Sequence, residues 1–181
     1  IFVYICIVIE ERKELNSSFF IGIKMIQKDT VLALINEKLE ENPEFYLVDL
    51  KISNSSKIYI EIDHKTEPIS INDCIAFSRQ VEHNLDREEE DFELEVTSPG
   101  LSVPFKVTQQ YIKNLGKEVK VMLASSKTIE GVLEEVTENG IVLTNETKER
   151  VEGKKKKIKV NNEFKLSFEE IKETKIIVKF K

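Results

Sequence analysis

The sequence predicts an α+β fold: an N-terminal α-β-β-α-β domain followed by a small all-β domain of the SH3-like or Sm-like barrel type. Before residue 103, two segments repeat apolar residues at helical spacing and three alternate them as strands do. Beyond it, five short strand-like runs follow in a stretch too short to bury a core unless the sheet curls into a barrel. Between the two parts, Pro99, Gly100 and Pro104 are typical of a stiff connector.

These observations divide the chain into three parts. Residues 25–103 are expected to form the α+β domain, and residues 104–181 the barrel domain with a short leading helix. Residues 1–24 fit neither, because their apolar run of nine residues is far too short to span a bilayer and lacks the flanks of a secretory signal. We expect this opening segment to be a spurious or disordered extension before a start at Met25; an extra strand or a membrane-associated arm is the alternative.

The composition excludes several classes of protein. The 181 residues are 40% hydrophobic and 33% charged, without Trp, as in a highly charged globular protein rather than a membrane or disordered one. The two cysteines, Cys6 and Cys74, provide neither a disulfide framework nor a zinc-ligand spacing. We therefore expect a protein of a reducing compartment.

Charge is distributed unevenly along the chain. Residues 1–114 carry 12 Lys and Arg against 21 Asp and Glu, a net of −9, whereas residues 115–181 carry 15 against 12, a net of +3. Much of the C-terminal excess comes from five lysines that follow Gly153: Lys154, Lys155, Lys156, Lys157 and Lys159. This lysine cluster is either a solvated loop or a contact with RNA or an acidic protein, and the sequence leaves both interpretations open.

Each element of the first domain has a local signature. A helix is expected from Asp29 or Thr30 to Pro43, and two strands, Phe45–Ile52 and Ile58–Asp63, are joined by a turn. Ser70 and Asp73 resemble a capping box, which begins a second helix. The apolar face of this helix is predicted to contain Ile71, Cys74, Phe77, Val81 and Leu85. The third strand begins near Phe92.

The second domain is predicted to begin with a helix over Thr108–Leu115 that Gly116 ends. The predicted strands are Glu118–Leu123, Thr128–Val136, Gly140–Thr144, Phe164–Phe168 and Lys175–Phe180. The charged segment between the third and fourth strands, which contains the lysine cluster, is expected to protrude as a hairpin or loop.

No catalytic pattern is found in the sequence. His64 and His83 lack metal-ligand spacing, and Asp63 next to His64 is interpreted as a surface pair at a strand end. Ser98 lacks the glycine of a nucleophile elbow, and no phosphate-binding loop occurs. We therefore expect a binding module, with no enzymatic activity, cofactor or metal.

One stretch of the sequence has the pattern of a known protein family. The run Leu94–Leu101, followed by Pro104, resembles the signature of the bacterial ribosome maturation factor RimP family, and the similarity extends over residues 25–181. The predicted interdomain motif within it is Ser98, Pro99, Gly100, Leu101 and Pro104. The chain departs from the family pattern at Ser102 and Val103, where many members carry Asp and Arg, so the polar contact that such a pair could make is not expected here.

The resemblance implies a cytoplasmic, non-enzymatic factor in the assembly of the small (30S) ribosomal subunit. It would bind the immature subunit and a small-subunit ribosomal protein near the decoding region, the barrel being the part that engages the protein. We expect a monomer without a membrane contact, and leave a contact with ribosomal RNA open. The alternative from another class is an Sm-like module that binds regulatory or messenger RNA.

Overall fold

The computed structural model describes residues 26–88, 91–150 and 157–178 and has the predicted mixed α+β composition. The helices are α1 (Lys28–Glu41), α2 (Ile71–Glu82) and α3 (Thr108–Lys113). The strands are β1 (Phe45–Ile52), β2 (Lys57–His64), β3 (Glu93–Thr97), β4 (Glu118–Leu123), β5 (Thr128–Val136), β6 (Gly140–Arg150), β7 (Lys157–Ser167) and β8 (Ile171–Ile176).

The first three strands form the N-terminal sheet, in the order β1-β2-β3. β1 and β2 are an antiparallel hairpin, whereas β3 pairs parallel to β2. A parallel pair requires a crossover connection, and α2 provides it. The helices α1 and α2 pack on one face of this sheet, where Ile58, Ile60 and Ile62 of β2 are fully buried.

The predicted capping box at the start of α2 is present. Ser70 Oγ accepts a hydrogen bond from the Asp73 amide at 3.2 Å, and Asp73 Oδ2 accepts from the Ser70 amide at 2.8 Å. The predicted apolar face of the helix is correct at Phe77 and Val81 but wrong at Ile71, which is the first residue of the helix and is 80% exposed. Cys74 is half-buried rather than buried.

The remaining strands form the C-terminal sheet, in the order β7-β6-β5-β4-β8, with every pair antiparallel. Its core is separate from that of the N-terminal sheet and centres on Val119, Val121, Leu133 and Leu143. No pairing of β7 with β8 closes a barrel within the described residues. The structure therefore shows the predicted sheet but not its closure.

The predicted bounds of three strands in this sheet are wrong, although the hairpin expected between the third and fourth strands is present. The third and fourth strands continue into the charged segment as one long β6–β7 hairpin, paired from Gly140 with Ser167 out to Arg150 with Lys157. Cross-strand bonds from Asn162 Nδ2 to Asn145 and Thr147 stabilise the extension, so its polar residues do not end the strands. β8 begins at Ile171, within the predicted turn.

The glycine whose backbone conformation favours glycine is Gly116 and not Gly100 of the motif. Among the described glycines only Gly116 has positive φ, at 75°, where the chain leaves α3 and enters the C-terminal sheet. Gly100 has no left-handed φ, so the freedom of glycine is not what sets the turn in the motif. A Cβ at Gly100 would instead lie 3.0 Å from Val103 Cγ2, which makes this a position of close approach.

The capping box allows a direct test of the start of α2. Replacing Asp73 with Ala removes the acceptor for the Ser70 amide and should lower the free energy of unfolding by about 1 kcal/mol at pH 7. Hydrogen bonds from Ser70 lower the pKa of the Asp73 carboxyl, so this stabilisation is present above the unfolded pKa of about 3.9 and is lost as pH falls below it. Urea unfolding at pH 7 and pH 3 should therefore show a difference between wild type and Asp73→Ala that shrinks in acid.

Asn72→Ala is the matched control, because Asn72 is exposed in the same turn and lies outside the box. A loss of stability with Asn72→Ala equal to that with Asp73→Ala would contradict the capping role.

Candidate partner-binding surface at the joint

The joint segment, residues 98–107, leads from β3 to α3 and connects the two sheets. Beside it, on the face of the N-terminal sheet opposite α1 and α2, lie two carboxylates of β2. Glu61 is only 2% exposed and Asp63 only 8% exposed. Because an isolated buried carboxylate is strongly disfavoured, both require cationic partners.

Lys106 of the joint segment supplies the partner of Glu61. Its Nζ contacts Glu61 Oε2 and lies 2.9 Å from Asp49 Oδ2, which Lys51 also approaches at 2.8 Å. Burial alone would lower the pKa of Lys106, but hydrogen bonds and charges from Glu61 and Asp49 outweigh it and raise that pKa. For Asp49, burial raises the pKa, and the contacts with Lys51 and Lys106 outweigh this effect and lower it.

Lys113 at the end of α3 supplies the partner of Asp63. Its Nζ lies 2.7 Å from Asp63 Oδ1 and donates to the Glu67 carbonyl at 2.9 Å. The other carboxylate oxygen accepts from the Tyr46 hydroxyl at 2.9 Å. Burial, together with the charge and hydrogen bond of Asp63, raises the pKa of Tyr46 well above its usual value. α3 is thus fixed to the N-terminal sheet by charge-assisted hydrogen bonds.

The interpretation of Asp63 and His64 as a surface pair is wrong. Asp63 is turned to Lys113 and Tyr46, while His64 Nδ1 accepts from the amides of Glu67 at 2.8 Å and Thr66 at 3.2 Å. The imidazole therefore shapes the turn after β2. His83 is exposed just after α2, away from this arrangement.

The predicted motif forms the turn of the joint segment. The Val103 amide donates to the Gly100 carbonyl at 3.1 Å, which places Leu101 and Ser102 at the tip. The Phe105 amide then donates to the Thr174 carbonyl of β8 at 2.8 Å and fixes the far side of the turn to the C-terminal sheet. The tip presents an apolar side chain to solvent, since Leu101 is 67% exposed.

A cavity of about 340 Å³ lies under this turn. The motif residues Ser98 to Leu101 form one wall, α3 and its C-cap contribute Gln110, Lys113 and Asn114, and the segment after β2 contributes Ile69. The cavity is therefore built from both halves of the chain, and the ion pairs that join these halves also hold its walls.

Most of the lysine cluster cannot be placed at this surface. Lys154, Lys155 and Lys156 lie outside the described residues, and for Lys157 only the backbone pairing with Arg150 is described. Lys159 Nζ pairs with Glu146 across the β6–β7 hairpin at 2.8 Å. The binding role of the lysine cluster and that of the interdomain motif both stay predictions.

Other kinds of site were sought over the same part of the chain. No group of three or more His, Cys, Asp or Glu side chains is arranged to hold a metal ion in the described ranges. No helix among the described residues is both long and apolar enough to cross a membrane.

Comparison with known proteins supplies the family. A family model for the RimP N-terminal domain matches residues 34–102. The ribosome maturation factor RimP of Flavobacterium psychrophilum is 40% identical over 157 residues, which cover 86% of this chain and 100% of that relative. The chain belongs to the RimP family. RimP of Christiangramia forsetii is 40% identical over 153 residues (84% and 99% covered), and that of Porphyromonas gingivalis 30% identical over 154 (85% and 100%).

The resemblance predicted from the motif is thereby confirmed. The region matched by the RimP N-terminal model contains Asp49, Glu61 and Asp63 and ends in the turn at Ser102, whereas Lys106 and Lys113 lie beyond it. Sequence reasoning missed this pairing, because a polar residue at every second position of a strand ordinarily indicates a solvent-facing side. Nothing in the spacing of the lysines identifies their partners.

The ion pair at Glu61 predicts a large effect of a single substitution. Lys106→Met keeps a long, unbranched side chain but removes the ammonium group, which leaves Glu61 buried without its cation. The free energy of unfolding should therefore fall by about 3 kcal/mol. Lys120→Met is the matched control, because it removes an exposed pair with Glu130 and should cost less than about 1 kcal/mol. Equal losses in urea unfolding would show that the buried pair has no special role.

The effect of Lys106→Met on the free energy of unfolding should depend on pH. The raised pKa of Lys106 means that its contribution is complete below the unfolded pKa of about 10.4 and is lost as pH rises through the folded value. The lowered pKa of Asp49 means that its contribution is lost as pH falls below about 3.9. The stability difference between wild type and Lys106→Met should therefore be constant near neutrality and shrink above about pH 10.5. A difference that does not change with pH would assign the effect to packing.

Proposed function

We propose that this chain is a ribosome maturation factor that binds the immature small subunit during its assembly. The observation that carries the proposal is its similarity to proteins named ribosome maturation factor RimP over nearly their full length. The joint agrees with a binding role, since a turn fixed on both sides presents the exposed Leu101 above a cavity. Leu101 and the exposed Val103 line the same cavity, and apolar side chains exposed together are suited to contact another macromolecule.

The finer features follow as part of the same proposal. The factor acts in the cytoplasm as a monomer, without catalysis, and contacts a small-subunit ribosomal protein near the decoding region. The C-terminal sheet is the half that engages this protein. Its strands curl toward the SH3-like or Sm-like barrel, an arrangement supported by the register shifts in the β5–β6 and β4–β8 pairs, because such irregularities increase local twist.

Sedimentation of cell lysates tests the proposal. The protein should migrate with free small subunits and their precursors and be absent from translating ribosomes, because a maturation factor leaves before translation begins. Deletion of its gene should increase the amount of precursor particles. An even distribution along the gradient, or an unchanged subunit profile after deletion, would contradict the proposal.

The alternative as an RNA-binding module makes a different prediction. A chain that acts through single-stranded RNA should bind isolated RNA tightly, with log affinity falling by roughly 0.7 per log unit of salt for each neutralised phosphate. Binding to isolated small-subunit proteins without such binding to RNA would favour the assembly factor. Replacing Lys154 to Lys157 with Ala measures the share of the lysine cluster in either activity.

A further inference from the structure

The cavity under the turn contains an unsatisfied hydrogen-bond donor. Gln110 of α3 lines the cavity and is only 5% exposed. Its Oε1 accepts from the Lys106 amide at 2.6 Å and from the Val107 amide at 3.3 Å, which fixes the orientation of the side-chain amide. Within the part of the chain that the structure describes, Gln110 Nε2 has no hydrogen-bond acceptor, although such a buried group ordinarily has one.

The surroundings of this donor favour a neutral acceptor. Of the two cations at the cavity, Lys113 is paired with Asp63, whose carboxylate also lines the cavity and would repel an anion, and Lys117 donates to the Asn114 side-chain oxygen at 3.0 Å. An anion would therefore compete with an existing carboxylate for Lys113. A peptide carbonyl carries no net charge and needs only the free N–H groups of Gln110.

The walls favour an aliphatic side chain beside that carbonyl. Leu101 and Val103 are exposed large apolar residues at the rim, and Ile69 lies opposite them. The aromatic residue of the lining, Phe105, is half-buried and makes a T-shaped contact with Tyr111 at 5.0 Å between ring centroids, so its ring is already engaged within the protein. Both features disfavour single-stranded RNA, which is recognised through stacking and phosphate contacts.

We propose that the cavity binds an extended segment of a partner protein, which inserts one aliphatic side chain beside Leu101 and whose adjacent backbone carbonyl accepts a hydrogen bond from Gln110 Nε2. Leu101 also borders a second hollow of about 490 Å³ that includes Ile176, Ile177 and Val178. The partner chain can therefore continue over the turn onto the outer side of β8. The inference rests on the proposed function, because the partner is taken to be a small-subunit ribosomal protein.

The Gln110→Glu substitution tests the proposed hydrogen bond from Gln110 Nε2 separately from the shape of the cavity. This substitution keeps the shape of the side chain and an oxygen for the Lys106 and Val107 amides, but replaces the donor with a second acceptor. The probe is an array of overlapping peptides from the small-subunit ribosomal proteins of the source organism, bound to the full chain. We expect the tightest peptides to contain an aliphatic residue, and their binding to weaken at least about tenfold in Gln110→Glu.

Gln109→Glu is the matched control, because it adds the same charge on the exposed side of α3. It should bind these peptides within about twofold of wild type. Equal weakening in both variants would show that net charge, not the buried donor, is responsible and would overturn the inference.

Leu101→Ser tests the cavity independently of the buried position. The side chain is exposed, so the variant should keep the wild-type unfolding curve while losing at least about tenfold in peptide affinity. Unchanged affinity in Leu101→Ser overturns the inference even if Gln110→Glu fails to fold. Wild-type binding to a small-subunit rRNA transcript but to no peptide would overturn it as well.

Sedimentation separates this inference from the proposed function. If wild type, Gln110→Glu and Leu101→Ser all migrate equally with small subunits and bind peptides alike, the cavity inference fails and the assembly role stands. If wild type does not migrate with small subunits, the assembly role fails whatever the peptide result.

Discussion

Two buried carboxylates on one strand determine how the halves of this molecule fit together. Glu61 and Asp63 lie on the face of β2 opposite its three isoleucines, and both are almost inaccessible to water. Removing such charges from water is unfavourable by several kcal/mol each, unless cations meet them in good geometry. Lys106 and Lys113 meet them from the joint segment and from α3. An apolar contact tolerates sliding, whereas two charge pairs at separate points fix the position of α3.

This constraint explains the stiffness of the joint. The chain leaves β3 at Thr97 and must reach Glu61 with the side chain of Lys106 a few residues later. Pro99 and Pro104 reduce the freedom of that short path in the unfolded chain. The Phe105 amide then joins β8, so the segment is held by the N-terminal sheet through charge and by the C-terminal sheet through a backbone bond. The turn between these anchors has little freedom left, and Leu101 at its tip is exposed.

Local sequence signals predicted the elements well because those elements depend on neighbours in the chain. The alternation of Ile58, Ile60 and Ile62 placed the core face of β2, and Ser70 with Asp73 placed the start of α2. The errors occur where contacts between residues far apart in the sequence determine the local structure. The polar β6–β7 hairpin depends on cross-strand bonds of Asn162, and the burial of Glu61 depends on a lysine 45 residues away. The motif identified the family, yet it did not reveal what constrains Gly100, which is the close approach of Val103 and not a left-handed backbone.

The cavity at the joint gains its specificity from the same rigidity. A flexible rim would have to become ordered on binding, and this loss of conformational entropy would weaken the affinity. Here Leu101 is held between two anchors, and Gln110 is oriented by the amides of Lys106 and Val107 before any partner arrives. Lys106 therefore contributes twice: its side chain neutralises Glu61, and its backbone amide fixes the orientation of Gln110. A binding surface assembled in this way depends on the ion pairs at Glu61 and Asp63, so a partner that recognises the cavity also recognises the packing of the joint segment and α3 against the N-terminal sheet.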